Sequence, residues 1–301
     1  MIHQQEHDLP DIGGRVNAPV FEHRSRQQTE PIHGELAGRL REFLARDVPG
    51  RVQNVHPLVQ RVENEEERLG CAGSVAQMLS VLGAETTLVG VVGDDKAAGR
   101  EGALAHKAGV IIDAVAETGR RTCVNTRHIA RSHSTDQQVL RVVEETTAPV
   151  SASTEEALGA VLARRVAEAD AVIISDYGKG ALSAELLMRL VVEAGGRAIP
   201  VIADPKGSDF TRYQGVSCIT PNRPETRGAT GIAVTDLATA EAAASQLVEG
   251  LGLAFALVTL DKEGMYLKEA SQDGVHLRTT PREVFDVTGA GDMVVAVLGM
   301  A

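Results

Sequence analysis

The sequence has no tryptophan, few other aromatic residues and no excess of positive charge. With aromatic residues at 3%, it offers few side chains on which the bases of single-stranded nucleic acid stack. A formal net charge of −11 argues against a partner with a phosphate backbone, so no nucleic-acid partner is expected. A small anionic substrate remains compatible with this charge, because a local basic pocket can override the overall sign.

Cysteines and long apolar runs are also scarce. Cys71, Cys123 and Cys218 are far apart without C-x-x-C spacing, which favours neither a disulfide framework nor a zinc site. No apolar run approaches the roughly 20 residues that span a membrane, and the first residues lack the apolar stretch of a secretory signal. We therefore expect a cytoplasmic protein without a membrane partner.

The clearest chemical signal lies in residues 282–301, REVFDVTGAGDMVVAVLGMA, whose pattern predicts a short strand, a glycine turn and a buried helix. Gly289 and Gly291 allow a tight turn with uncovered N–H groups, and the helix adds partial positive charge there. Such a turn suits a phosphate or the charge that develops in phosphoryl transfer. Asp292 would repel a resting phosphate, so we interpret it as a base that takes a proton from an attacking hydroxyl.

The glycine turn at 288–292 also allows other interpretations. A dinucleotide-binding fold requires a third glycine where Val294 stands, and the turn has no second strand after it, so an oxidoreductase is disfavoured. The sequence contains no P-loop pattern. A plain strand-to-helix turn, in which Asp292 only supports the helix dipole, stays open.

The rest of the chain predicts an α/β protein. Residues 1–34 are interpreted as a mostly disordered tail and 35–46 as an amphipathic helix, so the first 50 residues form a tail and short helix. Two alternating stretches at 122–130 and 137–144 predict a β-hairpin. Strands and helices otherwise alternate through 51–301, which predicts one domain built on a mostly parallel sheet with helices on both faces.

Polar residues follow several predicted strands directly. Asp176, Asp204, Asn222, Thr259 and Asp292 each come just after a strand. Ligands of open parallel sheets bind beyond the carboxyl ends of the strands. These side chains are therefore expected to share one rim.

Six segments within roughly 51–301 carry a family likeness: GCAGSVAQMLSVLGAETTLVGVVGDD, ISDYGKGAL, VIADPKGSDFTRYQG, ITPNRPE, LVTLDKEGM and EVFDVTGAGD. In this order they resemble the ribokinase-like (PfkB) carbohydrate kinases. The match is closest to the heptose-7-phosphate kinases of lipopolysaccharide core biosynthesis, which are often fused to an ADP-heptose synthase. The resemblance implies a ribokinase-like fold with a small β lid, ATP and Mg²⁺ as cofactors, and a homodimer formed through the lid hairpin.

The resemblance also implies roles for the glycine turn and the rim. Asp292 would be the general base, and Gly289, Ala290 and Gly291 would supply backbone donors to the transferring phosphoryl group. The nucleotide site would include the following residues: Asn222, Glu225, Thr259, Gly264 and Lys206. Glu225 would hold Mg²⁺ indirectly, through water.

For the acceptor sugar, the resemblance implies a separate group of contacts. They would come from Gly70, Ser74, Arg127, Asp176 and Lys179. Plain turn chemistry is the alternative for Asp204-Pro205 and Pro221-Asn222.

The sequence departs from the family pattern at several positions. No G-D motif precedes Arg51, and the family's G-G-A-A-N is here G-C-A-G-S, ending at Ser74. Asn125 and Val143 replace a usual lysine and aspartate, and Met293 replaces a threonine. The sequence ends at Ala301, inside the last predicted helix, so we expect a C-terminally incomplete domain.

Two functions follow. The first is ATP-dependent phosphoryl transfer to a hydroxyl of a sugar or sugar phosphate, as in a heptose-7-phosphate kinase. The alternative is a degenerate, non-catalytic homologue that at most binds nucleotide or a partner.

Overall fold

The structure is a computed structural model. It describes residues 15–19, 24–26, 64–131, 136–279 and 289–301. The predicted helix over residues 35–46 lies outside this described part of the chain.

The described residues form thirteen strands and seven α-helices. The strands are β1 (Arg15–Pro19), β2 (Arg24–Arg26), β3 (Glu67–Arg68), β4 (Glu85–Gly93), β5 (Ile111–Glu117), β6 (Val124–Arg131), β7 (Asp136–Glu144), β8 (Ala171–Ser175), β9 (Val201–Asp204), β10 (Cys218–Ile219), β11 (Phe255–Thr259), β12 (Met265–Glu269) and β13 (Val275–Leu277). The helices are α1 (Cys71–Val81), α2 (Lys96–Lys107), α3 (Ala152–Val166), α4 (Ala184–Gly195), α5 (Arg223–Thr230), α6 (Leu237–Leu251) and α7 (Ala290–Met300).

Nine strands form one sheet in the order β13-β12-β11-β10-β9-β8-β1-β4-β5. All pairings from β11 to β5 are parallel, whereas β12 and β13 add an antiparallel edge. The predicted mostly parallel sheet is therefore confirmed. Parallel connection aligns the carboxyl ends of β8, β9, β10 and β11 on one side of the sheet.

Helices cover both faces of this sheet, as predicted. On β8, Val172 and Ile174 point to one core with α3, α4 and α6, while Ile173 points to the other with α1 and α7. This division follows from the alternation of side chains along a strand. All five residues of β8 are buried, which explains its continuous apolar sequence.

A second sheet has the order β3-β2-β6-β7. Its centre is the antiparallel pair β6 and β7, which confirms the predicted hairpin with shifts of one or two residues at its ends. The pairing register shifts by one residue between His128 and Ile129. That irregularity places Arg127 directly opposite Arg141.

Two local predictions were wrong. The prediction of a disordered tail is wrong for β1 and β2, because β1 pairs in parallel with both β4 and β8 inside the large sheet. Helix α5 was not predicted, since it is short and contains Pro224 and Gly228. The domain boundary near residue 50 stays a prediction. No helix among the described residues is both long and apolar enough to cross a membrane.

Candidate active site

The rim predicted from sequence forms at the ends of β8 to β11. Thr220 Oγ1 donates to Asp204 Oδ1 at 3.1 Å, and the Asp176 N–H donates to the Asp204 carbonyl at 3.1 Å. Asn222 and Thr259 form a parallel bridge that extends the sheet beyond β10 and β11. Four of the five predicted rim residues therefore lie at or just past the carboxyl ends of neighbouring strands.

The fifth, Asp292, lies in the first turn of α7. Gly289 precedes this helix with φ +81°, a left-handed conformation that favours glycine. No side chain among the described residues caps the start of the helix, so its first N–H groups are available to an anion. An ideal Cβ at Gly289 would lie 3.6 Å from Asp292 Oδ2, which places the turn directly beside the carboxylate.

Tyr177 and Ser74 hold the Asp292 carboxylate. The Tyr177 hydroxyl donates to Asp292 Oδ1 at 3.2 Å, and Ser74 provides a second side-chain hydrogen bond. Burial raises the pKa of Asp292 above its usual range, and the hydrogen bonds from Tyr177 and Ser74 partly offset this rise. A carboxylate with a raised pKa is a stronger proton acceptor, as a general base requires.

Cys71, at the start of α1, lies next to Tyr177 and Asp292. Burial raises the pKa of the Cys71 thiol to about 12, and a hydrogen bond with Tyr177 opposes that rise. Its φ of +36° lies in the region that glycine favours. A residue with a side chain thus stands in a backbone conformation that suits glycine better.

Asp292 faces a cavity of about 1010 Å³ between the rim and the second sheet. Several of the predicted site residues line it, whereas the remainder do not. The lining ones are Gly70, Ser74, Arg127, Lys179, Lys206, Gly289 and Asp292. Those that do not line it are Ala290, Gly291, Asp176, Asn222, Glu225, Thr259 and Gly264.

Asn222 and Glu225 form a capping box at the start of α5. Asn222 Oδ1 accepts from the Glu225 N–H at 3.0 Å, and Glu225 Oε2 accepts from the Asn222 N–H at 3.1 Å. The second carboxylate oxygen, Glu225 Oε1, accepts from Lys206 Nζ at 2.9 Å. This capping box therefore connects to the cavity through Lys206.

Thr259 ends β11 beside the segment that leads into α5, and Gly264 directly precedes β12. The Thr259 N–H donates to the Pro221 carbonyl at 2.9 Å. Gly264 has φ +100°, and a Cβ there would lie 2.1 Å from the Leu277 carbonyl oxygen. Glycine is thus required at this position to pass β13, whether or not a nucleotide binds beside it.

Asp204 is a partly buried carboxyl group that lies near the carboxylates of Glu225 and Asp292. Burial raises its pKa to about 7, with a further rise from the negative charges of Glu225 and Asp292, while Thr220 and Lys206 act in the opposite direction. Neighbouring carboxylates repel one another, and a bound cation relieves that repulsion. No group of three His, Cys, Asp or Glu side chains among the described residues could hold a metal ion, so these carboxylates fit a hard divalent cation such as Mg²⁺ only if water or phosphate oxygens complete its ligands.

Asp176 and Lys179 have different surroundings, although only two residues separate them. The Asp176 side chain is 3% exposed and accepts from the Gly178 N–H and the Tyr213 hydroxyl, both at 2.7 Å. Its two oxygens are thus used to hold the turn. The Lys179 ammonium reaches the cavity and forms an ion pair with Glu145.

Arg120 fixes this turn to the segment that returns from the second sheet. Its guanidinium donates five hydrogen bonds, to the Glu117 carboxylate and to the carbonyl oxygens of Thr146, Ala148 and Lys179. The residue is only 8% exposed.

The second sheet contributes one face of β6 to the cavity. Asn125, Arg127 and Ile129 alternate along the strand and all line the cavity, together with Arg141 from β7. Asn125 is 3% exposed, and its Oδ1 accepts from Arg141 Nε at 3.0 Å.

Sequence reasoning missed several residues of this site. Tyr177 lies in the segment ISDYGKGAL, but nothing local in the sequence places its hydroxyl against Asp292. Glu145 and Arg141 were also missed. For Glu145 the signal was weak, since its partner Lys179 lies 34 positions away along the chain.

The architecture matches solved sugar kinases. Phosphofructokinase-2 from Escherichia coli in complex with substrates and products superposes with a TM-score of 0.70 at 16% identity, covering 94% of this chain and 84% of that one. Arabidopsis thaliana ribokinase complexed with ribose and ATP gives a TM-score of 0.67 at 16% identity, with 96% and 86% covered. The fold class is thus the ribokinase-like α/β fold, as predicted.

A model of the pfkB family carbohydrate kinases matches residues 44–300, so this chain belongs to that family. Among curated relatives, the bifunctional protein HldE of Pelobacter propionicus is 39% identical over 265 residues, 84% of this chain and 52% of the relative. HldE of Caulobacter vibrioides is 41% identical over 265 residues, 86% of this chain and 53% of the relative. The chain spans about half the length of these relatives.

Proposed function

We propose that this chain transfers the γ-phosphoryl group of ATP to a hydroxyl of a heptose 7-phosphate. The observation that carries the proposal is Asp292, a carboxylate with a raised pKa that faces the cavity beside the uncapped first turn of α7. A base and an anion-binding turn in contact are what in-line phosphoryl transfer to a hydroxyl needs. The family membership and the HldE relatives support the substrate class.

Each group has a defined task in this reaction. Tyr177 donates to Oδ1 of Asp292, which leaves Oδ2 to accept the proton of the acceptor hydroxyl. The N–H groups of Gly289, Ala290 and Gly291 stabilise the charge on the transferring phosphoryl group. Ser74 gives the carboxylate a second hydrogen bond.

The nucleotide is proposed to lie over the rim near α5. Lys206 is half exposed and contacts the nucleotide phosphates, while Asn222 and Glu225 fix the start of the helix beside it. Asp204 and Glu225 would hold Mg²⁺, Glu225 through water, and a bound ion would supply positive charge beside the nucleotide phosphates. Thr259 and Gly264 shape the strand end and turn at the edge of the nucleotide site.

Gly70, Arg127 and Lys179 surround the acceptor from the side of the second sheet. Asp176 acts one step away, by holding the turn that carries Lys179. The reaction belongs to the cytoplasm and to lipopolysaccharide core biosynthesis, and the lid hairpin forms the contact of a homodimer.

The decisive experiment measures ADP release with Mg·ATP and heptose 7-phosphate for the wild-type chain and for Asp292→Asn. Loss of a general base lowers kcat by about 10²–10⁴-fold, whereas Mg·ATP still binds. Equal ADP release by both proteins, or none by either, contradicts the proposal.

A non-catalytic homologue is the second candidate, favoured by Ser74 in place of a longer amide and by the strained Cys71. Thermal melting separates the two functions. Ligands that bind only the folded state raise the midpoint. A rise with Mg·ATP but none with added heptose 7-phosphate supports this second function.

A further inference from the structure

Tyr213 is a fully buried tyrosine whose hydroxyl contacts two turns of the rim. It ends the short 3₁₀ helix Thr211–Tyr213, which follows β9 along the chain. Its ring packs edge-on against Phe210, with the ring centroids 5.8 Å apart, and 0% of the residue is exposed. This packing holds the ring in one position, and a buried hydroxyl requires hydrogen-bond partners there.

The Tyr213 hydroxyl joins the turn at 176–180, which follows β8, to the turn at 205–207, which follows β9. It donates to Asp176 Oδ2 at 2.7 Å and accepts from the Lys206 N–H at 3.1 Å. These roles are fixed, because an ionised carboxylate only accepts and a backbone N–H only donates. Burial and the negative charge of Asp176 raise the pKa of Tyr213 above its usual value, so the hydroxyl keeps the proton that it donates.

Asp176 passes this contact on to Tyr177, the next residue in the chain. Its other oxygen, Oδ1, accepts from the Gly178 N–H at 2.7 Å, so the Asp176 side chain spans the backbone of Tyr177. The Tyr177 hydroxyl in turn donates to Asp292 Oδ1 at 3.2 Å. The direction in which Tyr177 points therefore depends on how the Asp176 carboxylate is held.

The two turns also touch each other. An ideal Cβ at Gly178 would lie 3.9 Å from Cγ of Lys206. The Asp176 N–H donates to the Asp204 carbonyl at 3.1 Å, which holds the ends of β8 and β9 together. The Tyr213 hydroxyl adds a bond to each turn beyond this point, and it does so from a side chain that cannot move within its packing.

We propose that Tyr213 is a positioning residue that couples Lys206 to Tyr177 and, through Tyr177, to Asp292. Displacement of either turn stretches a hydrogen bond of the same buried hydroxyl, so the two turns are held in a fixed relation. This inference rests on the proposed function and deepens it, since it links the turn proposed to contact the nucleotide with the turn that holds the proposed base.

The test is NMR of the full chain labelled with ¹³C at the tyrosine Cζ atoms. The sequence has only 3 tyrosines, so single Phe variants assign every signal. The Cζ shift reports the hydrogen bond of the phenol hydroxyl, and Asp292→Ala gives the Tyr177 signal without its acceptor. In Tyr213→Phe the Tyr177 signal should move from its wild-type position towards the one in Asp292→Ala.

The substitution to Phe removes only the hydroxyl. The ring keeps its packing, and the Arg212 guanidinium, 3.5 Å from Asp176 Oδ2, still pairs with the carboxylate. The matched control is Tyr266→Phe, which removes another hydroxyl that donates to a carboxylate, that of Glu241. It should leave the Tyr177 signal in place.

A second measurement follows the turn at 205–207. Isothermal titration calorimetry should show Mg·ADP binding about 5-fold weaker in Tyr213→Phe than in the wild-type chain, as expected for loss of one hydrogen bond that orients Lys206. Tyr266→Phe should bind Mg·ADP as the wild-type chain does. Both measurements are made without turnover.

Several outcomes overturn the coupling. An unmoved Tyr177 signal shows that the hydroxyl does not reach Asp292, and unchanged Mg·ADP binding shows that it does not reach Lys206. A lower melting midpoint with neither change makes Tyr213 a purely structural residue. If Tyr213→Phe does not fold, saturation of the wild-type chain with Mg·ADP replaces it: the buried Tyr213 signal must shift together with that of Tyr177, and an unshifted Tyr213 signal overturns the proposal.

These readouts separate the coupling from the kinase activity. A moved Tyr177 signal with weaker Mg·ADP binding, but no ADP release by the wild-type chain, upholds the coupling and contradicts the kinase. ADP release by the wild-type chain, with the Tyr177 signal unmoved in Tyr213→Phe, does the reverse.

Discussion

The two sides of the cavity treat charge differently. On the rim, Lys206 is paired with Glu225, and Asp204 accepts from Thr220. On the lid side, Arg127 and Arg141 are opposed, and no ion pair found between described residues includes either of them, although Glu66 and Glu67 also line the cavity. The charges on the rim are thus paired with one another, whereas these two arginines are not. Changes on the rim should affect stability and nucleotide binding, and changes on the lid should affect the acceptor.

The largest effect is expected where the two sides are joined. A Cβ at Gly180 would lie 2.2 Å from the Ala148 carbonyl oxygen, and Gly180 has φ +79°. Gly180→Ala should therefore lower the free energy of unfolding by about 3 kcal/mol, measured by urea denaturation. Gly99→Ala is the matched control, since nothing lies within 4 Å of its added Cβ in helix α2, and it should raise stability by about 0.5–1 kcal/mol. Similar stability of the two variants would show that the junction does not depend on this glycine.

A smaller effect is expected on the paired rim. Lys206→Met removes the cation beside Glu225 and should weaken Mg·ATP binding by about 10-fold, with heptose 7-phosphate binding unchanged. Fluorescence titration with a nucleotide analogue measures this change, and the exposed Lys96→Met is the control. A weaker affinity for the sugar phosphate instead would remove the distinction between rim and lid.

The smallest effect concerns pH. The Tyr177 hydrogen bond lowers the pKa of Asp292, so Tyr177→Phe should raise that pKa and move the acid limb of kcat to higher pH. The sign follows because the base must be ionised to act. Tyr266→Phe removes a hydroxyl bonded to Glu241, away from the site, and should leave the profile in place. An acid limb shifted to lower pH in Tyr177→Phe would contradict this role for the hydroxyl.

Much of the rim could be predicted from the sequence, because its motifs are local. The Asn222 and Glu225 contacts lie within four residues, and Asp292 follows a glycine turn whose geometry is set by Gly289. The same locality explains one ambiguity, since the N-x-x-E pattern is also a helix-capping signal, which would have predicted α5.

The pairing of Arg127 with Arg141 could not be predicted in this way. It depends on one irregular register step in the hairpin, and strand alternation alone places Arg127 opposite a different residue. Contacts such as Tyr177 with Asp292 join distant parts of the chain and depend on how the helices pack.

Arg120 fixes a junction between two parts of the chain. Its five hydrogen bonds fasten the segment returning from the hairpin to the turn that carries Lys179. Displacing that junction would break these bonds in a nearly buried site, so it is a costly place for the chain to bend. Any movement of the hairpin is therefore expected beyond Arg120, and it would leave the turn that carries Lys179 in place.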